Sequence, residues 1–202
     1  MTKQENPYVG TYAKDDGVHV VVTAAGGSED EALGRLNATL REVRDRIGVD
    51  IYTEDARSLP AVLLDHLRAG GSTLAVAESG SGGRFANLLL GEPDAGDVLL
   101  GALALAPGAG TAGELAALAA ERFGADIGLG LAADAGPAGN GLHEGPVVVS
   151  LAGALRAEET FPVKAAYLEV QRRAAMHAAD VLRRALLSSD DPRQAAGRAT
   201  SG

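Results

Sequence analysis

Valine occupies every second position of Val18–Thr23, which is the pattern of a β-strand with one buried face. A second strand is predicted just upstream, at Tyr8–Lys14. Ser28 and Glu31 then form an S-x-x-E capping box, which predicts the first turn of a helix. Apolar residues recur every three or four positions beyond it, so this helix should bury one stripe before it ends at Gly48.

Two shorter elements follow this helix. A brief strand is predicted at Asp50–Glu54. A second helix is predicted to open at Ser58-Leu59-Pro60 and to stop at Gly70-Gly71. Together these elements predict a small α+β domain over residues 1–71, with no long linker after it.

Strands and helices alternate from Thr73 onward, which is typical of a layered α/β domain. The predicted elements, in order, are a strand at Thr73–Ala77, a helix from Arg84, a strand at Val98–Leu105, a helix capped by Thr111, a strand at Ile127–Ala132, a hairpin of Pro146–Ala152 with Leu155–Phe161, and a long helix at Val163–Leu187. This domain should span residues 72–187. Residues 188–202 are small and polar, and they predict a disordered tail.

Composition excludes several classes of protein. The chain has no cysteine, which removes disulfides, thiolate catalysis and cysteine zinc sites. Its net charge of −9 disfavours nonspecific nucleic-acid binding, which depends on positive charge, so nucleic acid is not an expected partner. No apolar run approaches the ~20 residues that cross a bilayer, and the first residues lack the apolar core of a secretory signal. We therefore expect a cytoplasmic protein without membrane contact.

The stretch AESGSGG, Ala77–Gly83, follows a predicted strand and precedes a predicted helix. Free N–H groups in such a turn can bind a phosphate or an oxyanion, and Ser79 could attack a carbonyl if a base lay within reach. The candidate ligand-binding residues of the turn are Gly80, Ser81, Gly82 and Gly83, and the glycines permit close approach of a ligand. The competing interpretation, which spacing alone favours, is that Ser79 or Ser81 simply caps the helix.

Two further segments carry candidate ligand-binding residues. Asp134 and Gly136 lie in the predicted loop Ala133–Gly145, after a strand, so they should share a sheet edge with Ser79. Asp, Gly and Pro are equally the ordinary residues of a surface turn. On the last helix Arg172 could hold a phosphate or belong to a solvated face. The histidines are isolated in sequence, and no metal site is predicted.

The order of these motifs resembles the competence/damage-inducible CinA family, in which a strand is followed by A-E-S-C-T-G-G. Here Ala77–Gly83 takes that place. The family's F-G-A-D corresponds to Phe123–Asp126, and its T-G-x-A-G-P corresponds to Ala132–Pro137. Upstream, Asn6–Ala24 and Asp50–Asp55 are similar to the small middle domain of longer members.

The resemblance implies a three-layer α/β/α fold for the second domain and amidohydrolysis of nicotinamide mononucleotide with release of ammonia. Ser79 would be the nucleophile, turn N–H groups as far as Gly83 would hold the oxyanion, and no redox cofactor or metal would be required. The expected ligand is a small-molecule nucleotide. The alanine- and leucine-rich helix faces are compatible with a homodimer.

The chain departs from the family's pattern at several positions of its motifs. Gly80 stands in place of the motif cysteine, and Leu105–Gly110 offers neither the tyrosine nor the lysine found after the family's second strand. A family arginine near the start of the last helix falls near Gln171, or at the adjacent Arg172 if the register shifts by one. A serine without a base is a weak nucleophile, so we expect amidase activity that is weak or lost, with ligand binding or a regulatory role retained. The alternative is an active amidohydrolase in pyridine nucleotide salvage.

Overall fold

An antiparallel hairpin of β1 (Tyr8–Lys14) and β2 (Gly17–Thr23) opens the chain. Helix α1 (Glu29–Ile47) contacts β2, and the hydroxyl of its Ser28 cap accepts a hydrogen bond from the Glu31 N–H at 3.3 Å. These three elements lie where the sequence predicts them. The structure is a computed structural model that describes residues 6–14, 17–55 and 57–189.

The prediction of a strand at Asp50–Glu54 is wrong. Residues 48–50 form a 3₁₀ turn, and residues 51–53 have no regular structure. The Thr53 hydroxyl donates to the Asp55 carboxylate at 2.6 Å and accepts from the Asp55 N–H at 3.3 Å. Such local side-chain bonds compete with strand pairing, and they turn the chain here.

Two compact units make up the chain, residues 1–59 and 60–202. The boundary therefore falls between Leu59 and Pro60, at the start of helix α2 (Leu59–Ala69), whereas we predicted it after Gly71. Leu63, Leu64 and Leu67 of α2 are almost completely buried, as core residues are.

The second unit contains a six-stranded mixed sheet flanked by helices. Its strands are β3 (Leu74–Ser79), β4 (Leu99–Leu105), β5 (Ile127–Ala133), β6 (Gly136–Gly139), β7 (Leu142–Gly153) and β8 (Ala157–Ala166), and its further helices are α3 (Arg84–Leu90), α4 (Ala112–Phe123) and α5 (Tyr167–Ser189). The sheet order is β4-β3-β5-β7-β6, with β8 paired to β7. Strands β3, β4 and β5 are parallel, and β7 is antiparallel to β5, β6 and β8.

Helices cover both faces of this sheet, as a three-layer fold requires. Helix α4 contacts β3, β4, β5 and β7, whereas α5 contacts β5, β7, β8 and α3. Helix α4 lies unusually close to β5, because a β-carbon placed on Gly130 would be 1.9 Å from the Ala112 carbonyl oxygen. A β-carbon on Gly128 would be 2.0 Å from the Ala116 carbonyl oxygen. Both glycines are therefore required by packing.

The segment Phe123–Asp126 fastens α4 to the start of the sheet. The Phe123 ring lies against Gly101, where a β-carbon would be 2.2 Å from it. Gly124 ends α4 in the left-handed conformation, with φ +64°. The Asp126 carboxylate then accepts hydrogen bonds from the N–H and hydroxyl of Thr73, at 2.9 and 2.6 Å. These contacts give the F-G-A-D segment a structural role.

Several predicted boundaries in the last part of the chain differ from the structure, including those of the hairpin, which is formed by Leu142–Gly153 and Ala157–Ala166. The predicted loop Ala133–Gly145 contains β6, whose residues pair with the first residues of β7. The predicted helix Val163–Leu187 begins only at Tyr167, because buried and exposed side chains still alternate through Val163–Ala166 as part of β8. Most of the predicted disordered tail lies outside the described residues; Ser188 and Ser189 are the last residues of α5.

Within the described part of the chain, no helix has the length and apolar character needed to cross a lipid bilayer.

Candidate functional site

The glycine turn follows β3 at the carboxyl edge of the three parallel strands. Ser79, the last residue of β3, is level with Leu105 on β4 and with Ala132 on β5. Gly80 has a φ of +76°, and a β-carbon there would lie 2.3 Å from the Ala133 carbonyl oxygen. Only glycine fits this position without a shift of β5, so the exchange of the motif cysteine for Gly80 matches the local backbone.

The Ser79 hydroxyl is bonded to backbone atoms. It donates to the Ala106 carbonyl oxygen at 2.9 Å and accepts from the Ala109 N–H at 3.3 Å. The residue has no solvent exposure. Among the residues that the structure describes, no His, Asp, Glu, Lys or Tyr side chain hydrogen-bonds this hydroxyl. The geometry therefore holds the serine in place without offering it a base.

Glu78, which sequence reasoning did not single out, organises the turn. Its side chain is 1% exposed, and its carboxylate accepts from the Ser81 hydroxyl at 2.5 Å. It also accepts from the backbone N–H groups of Phe85 and Ala86 at 3.2 and 2.7 Å. A side chain from the preceding strand thus caps α3 and takes up two of the free donors of its first turn. A carboxylate at the end of an apolar buried strand was the available signal.

The backbone of the turn retains hydrogen-bond donors. For the N–H groups of Ser81, Gly82 and Gly83, the described residues provide no acceptor. Gly82 is exposed and has a φ of +70°, so a ligand can approach its backbone closely. The Ser81 side chain, in contrast, is buried and committed to Glu78. The turn can therefore offer backbone N–H groups to an anionic or carbonyl oxygen.

Gln171 of α5 is the residue of the last helix that reaches the turn. Its Nε2 donates to the Gly80 carbonyl oxygen at 3.4 Å, and its Oε1 accepts from Nε of Arg84 at 3.2 Å. Arg84, the first residue of α3, was not a sequence candidate, because it belongs to no motif and its partner is 87 positions away.

Arg172, which we selected as a ligand-binding residue, is paired with a carboxylate on its own helix. Its guanidinium donates to Glu169 at 2.8 and 3.0 Å. Arg173 donates to the same carboxylate at 2.7 Å. Hydrogen bonds from Arg172 and then Arg173 lower the pKa of Glu169 to about 2.

Asp134 and Gly136 lie beyond β5, at the same edge as Ser79. Both residues are exposed, and the Asp134 N–H donates to the Pro146 carbonyl oxygen at 3.1 Å. Neither residue hydrogen-bonds Ser79. His143 stacks at a tilt on Tyr167 with 5.0 Å between ring centroids, and its buried Nδ1 has no hydrogen-bond partner among the described residues. The ligand-binding roles of Asp134, Gly136 and Arg172 stay predictions.

Comparison with known proteins gives consistent relatives for both units. A family model described as "Damage-inducible protein CinA KH domain" matches residues 1–53. A CinA-like protein of Thermomicrobium roseum is 34% identical over 90% of this chain and 47% of its own length. One from Desulfovibrio desulfuricans is 32% identical over 91% of this chain and 50% of its own length. The chain thus spans about half the length of the curated relatives it matches.

Solved structures share the fold of about two thirds of this chain. A competence or damage-inducible protein from Enterobacter asburiae aligns with a TM-score of 0.52 and 20% identity, over 63% of this chain and 96% of that one. A CinA superfamily protein from Escherichia coli aligns with a TM-score of 0.52 and 19% identity, over 69% and 98%. From the sequence relatives and this shared architecture, the chain belongs to the competence/damage-inducible CinA family.

Proposed function

We propose that this CinA-family protein binds a nucleotide of the nicotinamide mononucleotide type at the turn Gly80–Gly83 and has weak or no amidohydrolase activity. One observation carries the proposal. The Ser79 hydroxyl is buried and hydrogen-bonded to the backbone of Ala106 and Ala109, and no described side chain is hydrogen-bonded to it as a base.

Amide hydrolysis through a serine needs a hydroxyl that can shed its proton as it attacks the carboxamide carbon. To attack, the Ser79 hydroxyl would have to break its 2.9 Å bond to Ala106 and become exposed. Loss of a general base costs serine hydrolases on the order of 10⁴–10⁶-fold in rate. Turn N–H groups can still stabilise an oxyanion, and this alone supports only residual turnover.

Ligand binding is supported by different features of the same turn. The N–H groups of Ser81, Gly82 and Gly83 have no acceptor in the described chain, and Gly82 is open to solvent. The turn lies at the carboxyl edge of parallel strands, where open α/β sheets bind their ligands. These features favour a binding site that does not depend on the Ser79 hydroxyl.

The test measures ammonia release from nicotinamide mononucleotide by the wild-type chain and by Ser79→Ala. We expect a rate near background for both, together with saturable binding of the nucleotide in a calorimetric titration of each. Robust turnover by the wild type that is lost in Ser79→Ala would overturn the proposal and establish the alternative, an active amidohydrolase.

Nucleic-acid binding by the first unit is not proposed, although the matching family model is described as a KH domain. KH modules clamp the nucleic-acid backbone with a G-x-x-G loop. Residues 1–72 contain no G-x-x-G, and the chain carries a net charge of −9.

A further inference from the structure

A cavity of about 610 Å³ lies between helix α4 and the strands β7 and β8. This volume is within the range of small-molecule binding sites. Most of the lining residues are alanine or glycine, among them Gly113, Ala117 and Gly153, so the walls are formed largely by methyl groups and backbone. All of the lining residues are outside the turn Gly80–Gly83. The cavity is therefore a separate candidate site.

Ser150 of β7 brings a buried hydroxyl to this cavity. The residue is only 6% exposed, and within the described ranges no group hydrogen-bonds its hydroxyl. Native proteins rarely leave a buried hydroxyl without a partner, because its desolvation is then uncompensated. Since Ser150 lines the cavity, its hydroxyl can donate to, or accept from, a molecule bound there.

Glu158 of β8 adds a carboxylate at the same place. It is directly opposite Ser150 in the antiparallel pair of β7 and β8. A β-carbon on Gly113 of α4 would be 3.7 Å from Glu158 Oε2 and 3.9 Å from Ser150 Oγ. The two side-chain oxygens therefore converge on the first turn of α4, where a glycine leaves room beside them.

Arg156, which immediately precedes β8, lines the cavity with the opposite charge. Arg156 and Glu158 are both exposed, and in the part of the chain that the structure describes neither forms an ion pair, with the other or with a third residue. The adjacent Glu159, in contrast, is paired with Arg184. One cavity thus offers a carboxylate, a guanidinium and a buried hydroxyl to a ligand.

We propose that this cavity binds an α-amino acid with an apolar side chain. The ammonium group of the ligand donates to the Glu158 carboxylate and to the Ser150 hydroxyl, and its carboxylate accepts from the Arg156 guanidinium. An α-amino acid carries both charges on one carbon, so it can bind two opposite charges that do not reach each other. The alanine and glycine wall then contacts the apolar side chain of the ligand.

The first test is a ligand-observed NMR titration of the full chain with three probes. L-leucine carries both charges, isocaproate lacks the ammonium group, and isoamylamine lacks the carboxylate. We expect L-leucine to bind about 3- to 10-fold more tightly than either analogue, a modest factor because the charged groups of the site are partly solvated. Equal affinity for the three probes, or no binding of L-leucine, overturns the proposal.

Charge-removing variants assign each end of the ligand. Glu158→Gln should weaken L-leucine by a similar factor and leave isocaproate unchanged, whereas Arg156→Gln should weaken L-leucine and isocaproate and leave isoamylamine unchanged. Glu121→Gln and Arg122→Gln, at exposed positions of α4, are the matched controls and should change no affinity. An equal loss for all three probes in either cavity variant would contradict the assignment.

Ala117→Leu tests the location of the site. Ala117 lines the cavity from an exposed position of α4, so a leucine there should occupy the cavity without disturbing the core. Alanine and leucine are both good helix formers. We expect an unchanged melting temperature and no binding of any probe, and binding that persists would overturn the proposed location.

Ser150→Ala separates a ligand-binding role of the hydroxyl from a structural one. The substitution removes no hydrogen bond within the described residues, so the melting temperature without ligand should be equal or higher. The affinity for L-leucine should fall, and the affinity for isocaproate should not. A lower melting temperature with unchanged L-leucine affinity would show that the hydroxyl serves folding and would exclude it from the site.

Discussion

Replacement of Glu78 by alanine should destabilise the second unit strongly. The substitution removes the acceptor of three hydrogen bonds, from the Ser81 hydroxyl and from the N–H groups of Phe85 and Ala86. Phe85 is fully buried and Ala86 nearly so, which means that water cannot replace the lost carboxylate at either N–H group. The perturbation leaves two buried backbone donors without an acceptor.

The magnitude follows from those two donors. Each unsatisfied buried N–H costs about 1–3 kcal/mol. Removal of a buried charge returns part of that amount, because its desolvation cost disappears as well. We therefore expect a net loss of about 3 kcal/mol in the free energy of unfolding. For a unit of this size, this corresponds to a fall of roughly 6–12 °C in melting temperature.

The assay is urea denaturation followed by far-ultraviolet circular dichroism, since the chain has no tryptophan for fluorescence. Glu121→Ala, at an exposed glutamate of α4, is the matched control and should change the midpoint little. The urea midpoint of Glu78→Gln should fall between those of Glu78→Ala and Glu121→Ala. Its amide oxygen keeps one acceptor, whereas its NH₂ group faces a donor. A loss below about 1 kcal/mol for Glu78→Ala would refute the argument that this carboxylate holds the turn.

Three further predictions concern stability. Gly128→Ala should cost about 1–3 kcal/mol or more in urea denaturation, since its β-carbon would be 2.0 Å from the Ala116 carbonyl oxygen, whereas Gly113→Ala, with no heavy atom closer than 3.7 Å, should be neutral or stabilising. Hydrogen bonds from the Thr73 hydroxyl and N–H lower the pKa of Asp126. The contribution of this carboxylate to folding stability is therefore present above about pH 4 and lost as the pH falls further. The urea midpoint of Asp126→Asn should change less with falling pH than the midpoint of the wild type. Burial lowers the pKa of His177, which stacks on Phe161, so the folded state favours the neutral ring. The stability that this ring contributes is present above about pH 6.5 and is lost in acid. His177→Gln should therefore reduce the change in melting temperature between about pH 7.5 and 5.5, and an unchanged pH dependence would refute this.

Elements with a strong local pattern could be predicted from the sequence. Strands β3 and β5 are apolar runs bounded by glycine or polar residues, α1 begins at the Ser28 cap, and α4 begins at the Thr111–Glu114 capping box. The junction between β8 and α5 could not be placed from the sequence. Within Phe161–Val170, the strand alternation of buried and exposed positions, which continues through Ala165, passes directly into the apolar spacing of a helix. Strand β6 consists of glycine, proline and alanine, so its sequence has no alternation of apolar and polar side chains that would predict a strand. Only its pairing with β7 defines it.

The candidate site shows the same division. The position of Ser79 at the end of a strand follows from local pattern, but its hydrogen-bond partners are 27 and 30 residues away. The contact of Arg84 with Gln171 joins residues 87 apart. No spacing rule relates such positions, since the sheet order brings them together only after folding. The local sequence therefore located the turn, and the tertiary structure specified which groups it leaves free.

The long strand β7 has a consequence for how the second unit assembles. It meets β6 across a short turn and β8 across the three residues Ala154–Arg156, so these pairings close small loops. The parallel pair β3–β5, fastened by Thr73 and Asp126, closes a loop of 53 residues instead. Because short loops cost less chain entropy, we expect the β6–β7–β8 meander to form first and the sheet edge at Ser79 to be completed later.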